Sequence, residues 1–130
     1  MLFFDTSAAI GWLRGDPNLA KVAEDEQVML SVVSVYELLW ASRRKSEKAV
    51  DAANRFIAAC TTIPVSDEIA RRAAHIKGEL AACGKDKPMA DLLIAASAET
   101  EGGIFVTFDR DFEDISRFCD LHLHLLKGKV

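Results

Sequence analysis

The chain alternates short apolar runs with longer stretches of helical periodicity. The apolar runs are rich in Phe, Val and Ile, which is typical of buried strands, and capping residues, prolines and glycine pairs punctuate the stretches between them. Strands are predicted at residues 2–4, 28–33, 61–65, 104–106 and 121–126. Helices are predicted over residues 7–14, from Pro17, and over 34–44, 46–60, 66–82, 89–101 and 109–118. Strands that alternate with one or two helices indicate an α/β fold with a mainly parallel sheet of four to five strands.

Length and composition narrow the class of protein. The 130 residues suit one domain spanning 1–130, and no apolar run approaches the roughly 20 residues of a membrane helix. The net charge of −4 excludes a uniformly basic protein that coats nucleic acid, but not an enzyme with one local basic patch. Three widely spaced cysteines, Cys60, Cys83 and Cys119, form no disulfide framework, and no basic leader precedes Asp5. We therefore expect a cytoplasmic protein with no membrane partner.

Four acidic residues fall where strands of a parallel sheet end. Asp5 follows the first strand directly, Glu37 lies in the first predicted turn after the second, and Asp109 follows the fourth. Asp91 begins the helix that leads into the fourth strand. Because right-handed crossovers bring these positions to the carboxyl edge of the sheet, the four carboxylates are expected to converge there.

Each of these acids also has a local explanation. Asp5 could cap a helix, Glu37 could close a capping box with Ser34, Asp91 could complement a helix dipole and Asp109 could form a turn. Together, however, four anions at one edge repel one another, and a divalent cation removes that conflict. Oxygen ligands favour Mg²⁺ or Mn²⁺, which can activate water for attack on a phosphodiester. A phosphatase with an aspartyl nucleophile would place a second Asp where Ser7 stands.

Four segments resemble the motifs of one family in order and spacing. They are Asp-Thr-Ser at 5–7, Ser-Val-Tyr-Glu at 34–37, Asp-Leu-Leu-Ile-Ala-Ala-Ser-Ala at 91–98 and Val-Thr-Phe-Asp-Arg-Asp-Phe at 106–112. The chain resembles PIN-domain ribonucleases, and most closely the VapC toxins of bacterial and archaeal toxin–antitoxin pairs. The matching motifs span nearly the whole chain.

The resemblance implies an α/β/α sandwich and an endoribonuclease that depends on Mg²⁺ or Mn²⁺. Its catalytic acids would be Asp5, Glu37, Asp91 and Asp109, and Asp5, Asp91 and Asp109 would bind the metal. It also implies a homodimer that acts on RNA and is inhibited by a VapB-type antitoxin. A housekeeping PIN nuclease in RNA processing and a non-catalytic PIN-like binding module stay open as alternatives.

The resemblance further implies that hydroxyl groups orient the acids. Thr6 or Ser7, and Thr107, would hold the carboxylates. Asp109 and Asp111 are both candidates for the fourth acid; Asp109 is preferred, and Asp111 would cap the short helix that follows.

Several other features have two interpretations. The segment 41–55 carries five basic and two acidic residues and could approach an RNA backbone or form a solvated helix face. The candidate RNA-binding residues are Arg43, Arg44, Lys45, Lys85 and Lys87. Trp12, Tyr36 and Trp40 are interpreted as core or interface anchors, on which an antitoxin helix could dock, rather than as base-stacking platforms. The His-Leu-His segment at 122–124 is interpreted as the polar face of a half-buried strand and not as a metal site.

Overall fold

The computed structural model describes residues 1–128, which form five strands and seven helices. The strands are β1 (Leu2–Phe4), β2 (Val28–Ser31), β3 (Thr61–Ile63), β4 (Ile104–Thr107) and β5 (His122–Leu125). The helices are α1 (Thr6–Leu13), α2 (Pro17–Val22), α3 (Val32–Arg43), α4 (Glu47–Ala59), α5 (Asp67–Ala82), α6 (Met89–Glu101) and α7 (Asp111–Ile115). No helix in this part of the chain has the length and apolarity needed to cross a membrane.

All strand pairs of the sheet are parallel, and the strand order is β3-β2-β1-β4-β5. Strand β1 lies at the centre, with Phe4 opposite Leu30 on one side and Val106 on the other. The carboxyl ends of β1, β2 and β4 therefore meet at one edge. The predicted parallel sheet is confirmed, and so is the convergence of these strand ends.

Helices cover both faces of the sheet, which confirms the α/β/α sandwich. Phe3 and Phe105 point into a core shared with α5, α6 and α7, and their rings stack with centroids 6.0 Å apart. Leu2 and Val106 point to the opposite face, into a core shared with α1, α3 and α4. Helix α6 is buried along most of its length, as its apolar sequence predicts.

The second strand is shorter than predicted, because residues 32 and 33 belong to α3. The β-branched side chains of Val32 and Val33 favour a strand locally, but the Ser31 hydroxyl accepts a hydrogen bond from the Val33 amide at 3.1 Å and caps the helix. The predicted cap at Ser34 and its capping box with Glu37 are therefore wrong. Glu37 lies in the second turn of α3 and not the first.

The exposure of the aromatic side chains corrects part of their interpretation. Tyr36 is 72% exposed and Trp40 is 54% exposed, so neither is a core residue. Trp12 stacks on Phe56 at the edge of a core, with centroids 6.1 Å apart. On β5, His122 and His124 are exposed, as the alternation with leucines predicts.

A partly buried ion pair joins α5 to α6 and to the chain before β5. Arg72 donates to both Glu99 oxygens, at 2.6 and 3.1 Å, and to the Phe118 carbonyl. The Asp120 amide donates to Glu99 at 2.6 Å. The Arg72 hydrogen bond, chiefly, lowers the pKa of Glu99 to about 2.

We expect Glu99→Gln to lower the free energy of unfolding by about 1–2 kcal/mol at pH 7, because it removes the charged partner of Arg72. The effect is no larger because the Arg72 side chain is a third exposed and water solvates its charge in the variant. Glu99 ionises more readily in the folded chain than in the unfolded chain, so its contribution is complete above about pH 4.3 and is lost as the pH falls toward 2. Urea unfolding at several pH values should show the gap between variant and wild type closing over this range. Asp67→Asn, in the exposed pair with Arg71, is the control and should change little. A difference in stability between variant and wild type that does not change with pH would contradict a stabilising role for the ionised Glu99 carboxylate.

Candidate active site

The four predicted acids lie at the carboxyl edge of the sheet. Asp5 directly follows β1, Asp109 follows β4 by two residues, Asp91 lies in the first turn of α6 and Glu37 lies in the second turn of α3. Their mutual electrostatic effects show that they share one region, because the charges of Asp109, Glu37 and Asp5 all act on Asp91. The structure thus brings together the four acids that were predicted from their positions after the ends of the parallel strands.

Asp5 is buried and is held by several donors. Its carboxylate accepts hydrogen bonds from the Thr107 hydroxyl at 2.6 Å, the Ser7 hydroxyl at 2.8 Å and the Ala8 amide at 2.9 Å. The last of these caps α1. Burial raises the pKa of Asp5 to about 6, although the three donors favour the charged form. Asp5 therefore has a fixed orientation and is poised to ionise near neutral pH.

Two hydroxyls tie Asp5 to the chain after β4. Ser7 Oγ accepts from the Phe108 amide at 3.0 Å, and Thr107 Oγ1 accepts from the Asp109 amide at 2.9 Å. Each hydroxyl thus donates to Asp5 and accepts from the backbone beside Asp109. The ends of β1 and β4 are locked together, as the predicted orienting role of Ser7 and Thr107 requires.

Thr6 performs the same task for Glu37. Its hydroxyl donates to Glu37 Oε1 at 2.6 Å and also lies 3.0 Å from the hydroxyl of buried Ser34. This places Ser34 in the site, although its sequence position suggested only a helix cap. The spacing of Ser34 one turn before Glu37 on the same helix is the signal that could have found it.

Asp91, Asp109 and Asp111 form the tightest group of carboxylates. One oxygen from each lies within 4.8 Å of the others, a spacing that allows a shared cation. Asp5 and Glu37 are not members of this group among residues 1–128. The structure therefore brings Asp111, and not Asp5, into a mutually close group with Asp91 and Asp109.

Asp91 has no local partner for its charge. Within residues 1–128 its carboxylate accepts no hydrogen bond and forms no ion pair, although it is partly buried. Burial, followed by the charges of Asp109, Glu37, Asp5 and Asp111, raises the pKa of Asp91 to about 7. A cation bound here would relieve this repulsion.

The predicted helix cap at Asp111 is not formed, and the side chain of Asp109 supports the start of α7 in its place. Asp111 is the first residue of α7 and its side chain caps nothing; instead its amide donates to Asp109 Oδ1 at 2.9 Å. Asp109 therefore supports the start of α7, and the Asp111 carboxylate is left to face the other acids. The prediction that Asp111 caps the helix is wrong.

Lys85 and Lys87 form ion pairs with the acids of α7. Lys87 Nζ lies 3.2 Å from Asp111 Oδ1 and 3.1 Å from Asp114 Oδ2, and Lys85 Nζ lies 3.4 Å from the same Asp114 oxygen. The Lys87 side chain is 11% exposed. Neither lysine points freely to solvent, so the structure does not favour their predicted contact with RNA.

The other basic residues lie at the C-terminal end of α3 and just beyond it. Arg43, Arg44 and Lys45 are exposed, and Arg43, the last residue of α3, stands six residues after Glu37, about 9 Å along the helix axis. Arg44 packs over the Trp40 ring at 5.6 Å. Their contact with RNA stays a prediction.

The donor set fits Mg²⁺ or Mn²⁺. The ligand atoms of the group are all carboxylate oxygens, whereas Zn²⁺ sites use cysteine and histidine. A surplus of negative charge, shown by the raised pKa of Asp91, supplies the reason for a cation to bind. Asp91 and Asp109 would hold it, with Asp111 and the fixed carboxylate of Asp5 close by.

Comparison with solved structures finds this fold in toxin–antitoxin complexes. A chain of VapBC2 from Rickettsia felis, bound to a promoter DNA fragment, superposes with a TM-score of 0.79 at 22% identity, over 96% of this chain and 98% of that one. A chain of VapBC-1 from Haemophilus influenzae gives 0.78 at 17%, with the same coverage. VapC20 from Mycobacterium tuberculosis, a toxin that cleaves the sarcin–ricin loop, gives 0.65 at 20%, over 87% and 93%.

Comparison with curated protein sequences gives no significant match. A sequence profile of the PIN domain, however, matches residues 2–118, nearly the whole chain. The strands β1 to β4, all seven helices and all the acids of the candidate site fall within that match. The chain belongs to the PIN-domain family.

Proposed function

We propose that the chain is a metal-dependent endoribonuclease and the toxin of a type II toxin–antitoxin pair. One observation carries the nuclease proposal: Asp91, whose carboxylate has no hydrogen-bond or ion-pair partner within residues 1–128, lies in a 4.8 Å group of carboxylates near buried Asp5. A non-catalytic binding module would have no use for this concentration of mutually repelling acids. Membership of the PIN-domain family supports the same conclusion.

The chain's own residues position and orient the reacting groups. Asp91 and Asp109 would hold the cation, while Ser7 and Thr107 fix the carboxylate of Asp5. Thr6 fixes the carboxylate of Glu37, which would accept a proton from the attacking water. A bound Mg²⁺ or Mn²⁺ supplies charge stabilisation at phosphorus and lowers the pKa of a water ligand.

Two features support the toxin role over a housekeeping role. The similar solved structures include complexes named as toxin–antitoxin systems, and one of these matches over 97% of both chains. A groove of about 340 Å³ lies between α1, α3 and α4, and its lining combines apolar side chains such as Ile10 and Leu13 with the basic residues Arg14, Arg44 and Lys45. With exposed Trp12 beside α4, this surface suits an antitoxin segment that carries apolar side chains.

We expect the purified chain to cut total cellular RNA into discrete products with Mg²⁺ or Mn²⁺ and not with EDTA. The reason is that the acids repel the RNA phosphates until a cation neutralises them. Electrophoresis and mapping of the product ends measure the result. Folded, metal-loaded protein that leaves every RNA intact would contradict the nuclease proposal, and products that persist in EDTA would contradict its metal dependence.

A further inference from the structure

Lys87 places a positive charge at the acidic site from outside the four catalytic acids. It belongs to the loop between α5 and α6, four residues before Asp91, yet its ammonium group contacts α7. The side chain is only partly exposed, and two carboxylates, those of Asp111 and Asp114, hold its ammonium group in one place. A lysine held in this way acts on its neighbours as a permanent local cation.

Asp114 fixes that ammonium group in place. Asp114 is not a member of the carboxylate group of Asp91, Asp109 and Asp111, and its Oδ2 contacts both Lys87 and Lys85. Lys87 therefore does not depend on Asp111 to stay where it is. The ion pair at 3.2 Å holds Asp111 Oδ1 beside the loop, while one carboxylate oxygen of Asp111 also lies within 4.8 Å of an oxygen of Asp91 and one of Asp109.

We propose that Lys87 is a positioning residue that withholds Asp111 from the metal and so lowers the affinity of the site for divalent cations. This inference rests on the proposed metal-dependent function. A divalent cation at Asp91 and Asp109 meets repulsion from the nearby ammonium group, and it must compete with that group for the Asp111 carboxylate. The site then binds its metal chiefly through Asp91 and Asp109. Asp111 becomes a ligand only when Lys87 is removed.

The test is a mutant cycle read by calorimetric titration with Mn²⁺, without RNA. Lys87→Met should tighten Mn²⁺ binding about tenfold, because it removes the repulsion and frees Asp111. Asp111→Asn should change binding less than about twofold in the wild-type background, and should weaken it about tenfold in the Lys87→Met background. Lys87→Arg keeps the charge and should bind as wild type. Lys77→Met, which removes a lysine from the exposed pair with Asp86, is the matched control and should also bind as wild type.

The possible outcomes separate the alternatives. Weaker Mn²⁺ binding in Lys87→Met would mean that Lys87 orients Asp111 as a ligand, and it would overturn the inference. Equal loss from Asp111→Asn in both backgrounds would overturn it as well, because Asp111 would then bind metal regardless of Lys87. The mutant cycle measures metal binding and not cleavage. If the variants show the expected Mn²⁺ affinities but the protein cuts no RNA, the nuclease proposal alone would be overturned. Metal-dependent cleavage with no tightening in Lys87→Met would overturn the Lys87 inference alone.

Discussion

Asp91→Asn is expected to reduce RNA cleavage by at least about 10³-fold while making the metal-free protein more stable. The catalytic loss follows because Asp91, whose carboxylate accepts no hydrogen bond and forms no ion pair within residues 1–128, is the acid of the site most available to a cation. Loss of about 4 kcal/mol of transition-state stabilisation corresponds to that factor. Single-turnover cleavage of a mapped RNA measures it.

The gain in stability has a definite dependence on pH. The pKa of Asp91 is about 7 in the folded chain and about 3.9 in an unfolded one, so the folded state holds the extra proton and loses stability as the pH rises between these values. Asn does not titrate and escapes this loss. We expect the free energy of unfolding of Asp91→Asn to exceed that of wild type by about 1–2 kcal/mol at pH 8 and by little at pH 4. The difference at pH 8 is kept small because the carboxyl group is partly exposed to water.

Metal ions should reverse this order. Added Mn²⁺ raises the unfolding temperature of a protein that binds it only when folded, so wild type should gain and Asp91→Asn should not. The same variant serves to test the toxin role: expression of the wild-type chain without an antitoxin should arrest bacterial growth, and expression of Asp91→Asn should not. If the difference in stability between Asp91→Asn and wild type is the same at pH 8 as at pH 4, the charge of Asp91 does not destabilise the metal-free protein. Growth arrest by both proteins would contradict an RNA-cleaving toxin.

Most of the site could be predicted from the expectation that functional residues gather at the carboxyl edge of a parallel sheet, because the strand ends are easy to recognise in this sequence. Asp5 directly follows a strand of three residues and Asp109 follows a strand of four by two residues, and the parallel register puts them together whatever the exact helix boundaries are. Asp91 could be predicted because the helix that carries it runs antiparallel to the strands. These inferences need only topology, which the alternation of apolar runs indicates well.

Other parts of the site depend on contacts that sequence spacing does not contain. Lys87 and Asp111 are 24 residues apart and belong to a loop and a short helix whose relative position is set by packing. The start of α3 was misplaced because Val32 and Val33 have strand propensity, whereas the Ser31 cap decides the boundary. The exposure of Tyr36 depends on which side of α3 meets its neighbours, and this in turn depends on that boundary.

Thr107→Val is expected to lower both stability and cleavage, because one hydroxyl joins two acids of the site. Valine keeps the shape of a side chain that is fully buried, so the change tests the hydroxyl alone. It removes the 2.6 Å donor to Asp5 and leaves the Asp109 amide without its acceptor. The partly buried Asp109 amide then has no acceptor, and the Asp5 carboxylate loses one donor. Together these losses should lower the free energy of unfolding by about 1–3 kcal/mol.

The effect of Thr107→Val on cleavage should depend on pH. Loss of a residue that orients a metal-site carboxylate lowers activity about 10- to 100-fold in comparable sites. The Thr107 hydrogen bond lowers the pKa of Asp5 against the larger effect of burial, so its removal should raise that pKa above about 6. Because the ionised carboxylate is the active form, the acid limb of the pH–rate profile should then move to higher pH, and part of the lost activity should return at alkaline pH. Thr107→Ser retains the hydroxyl and should keep the wild-type profile. A uniform loss at every pH in the valine variant, or an equal loss in the serine variant, would show that Thr107 acts through packing and not through Asp5.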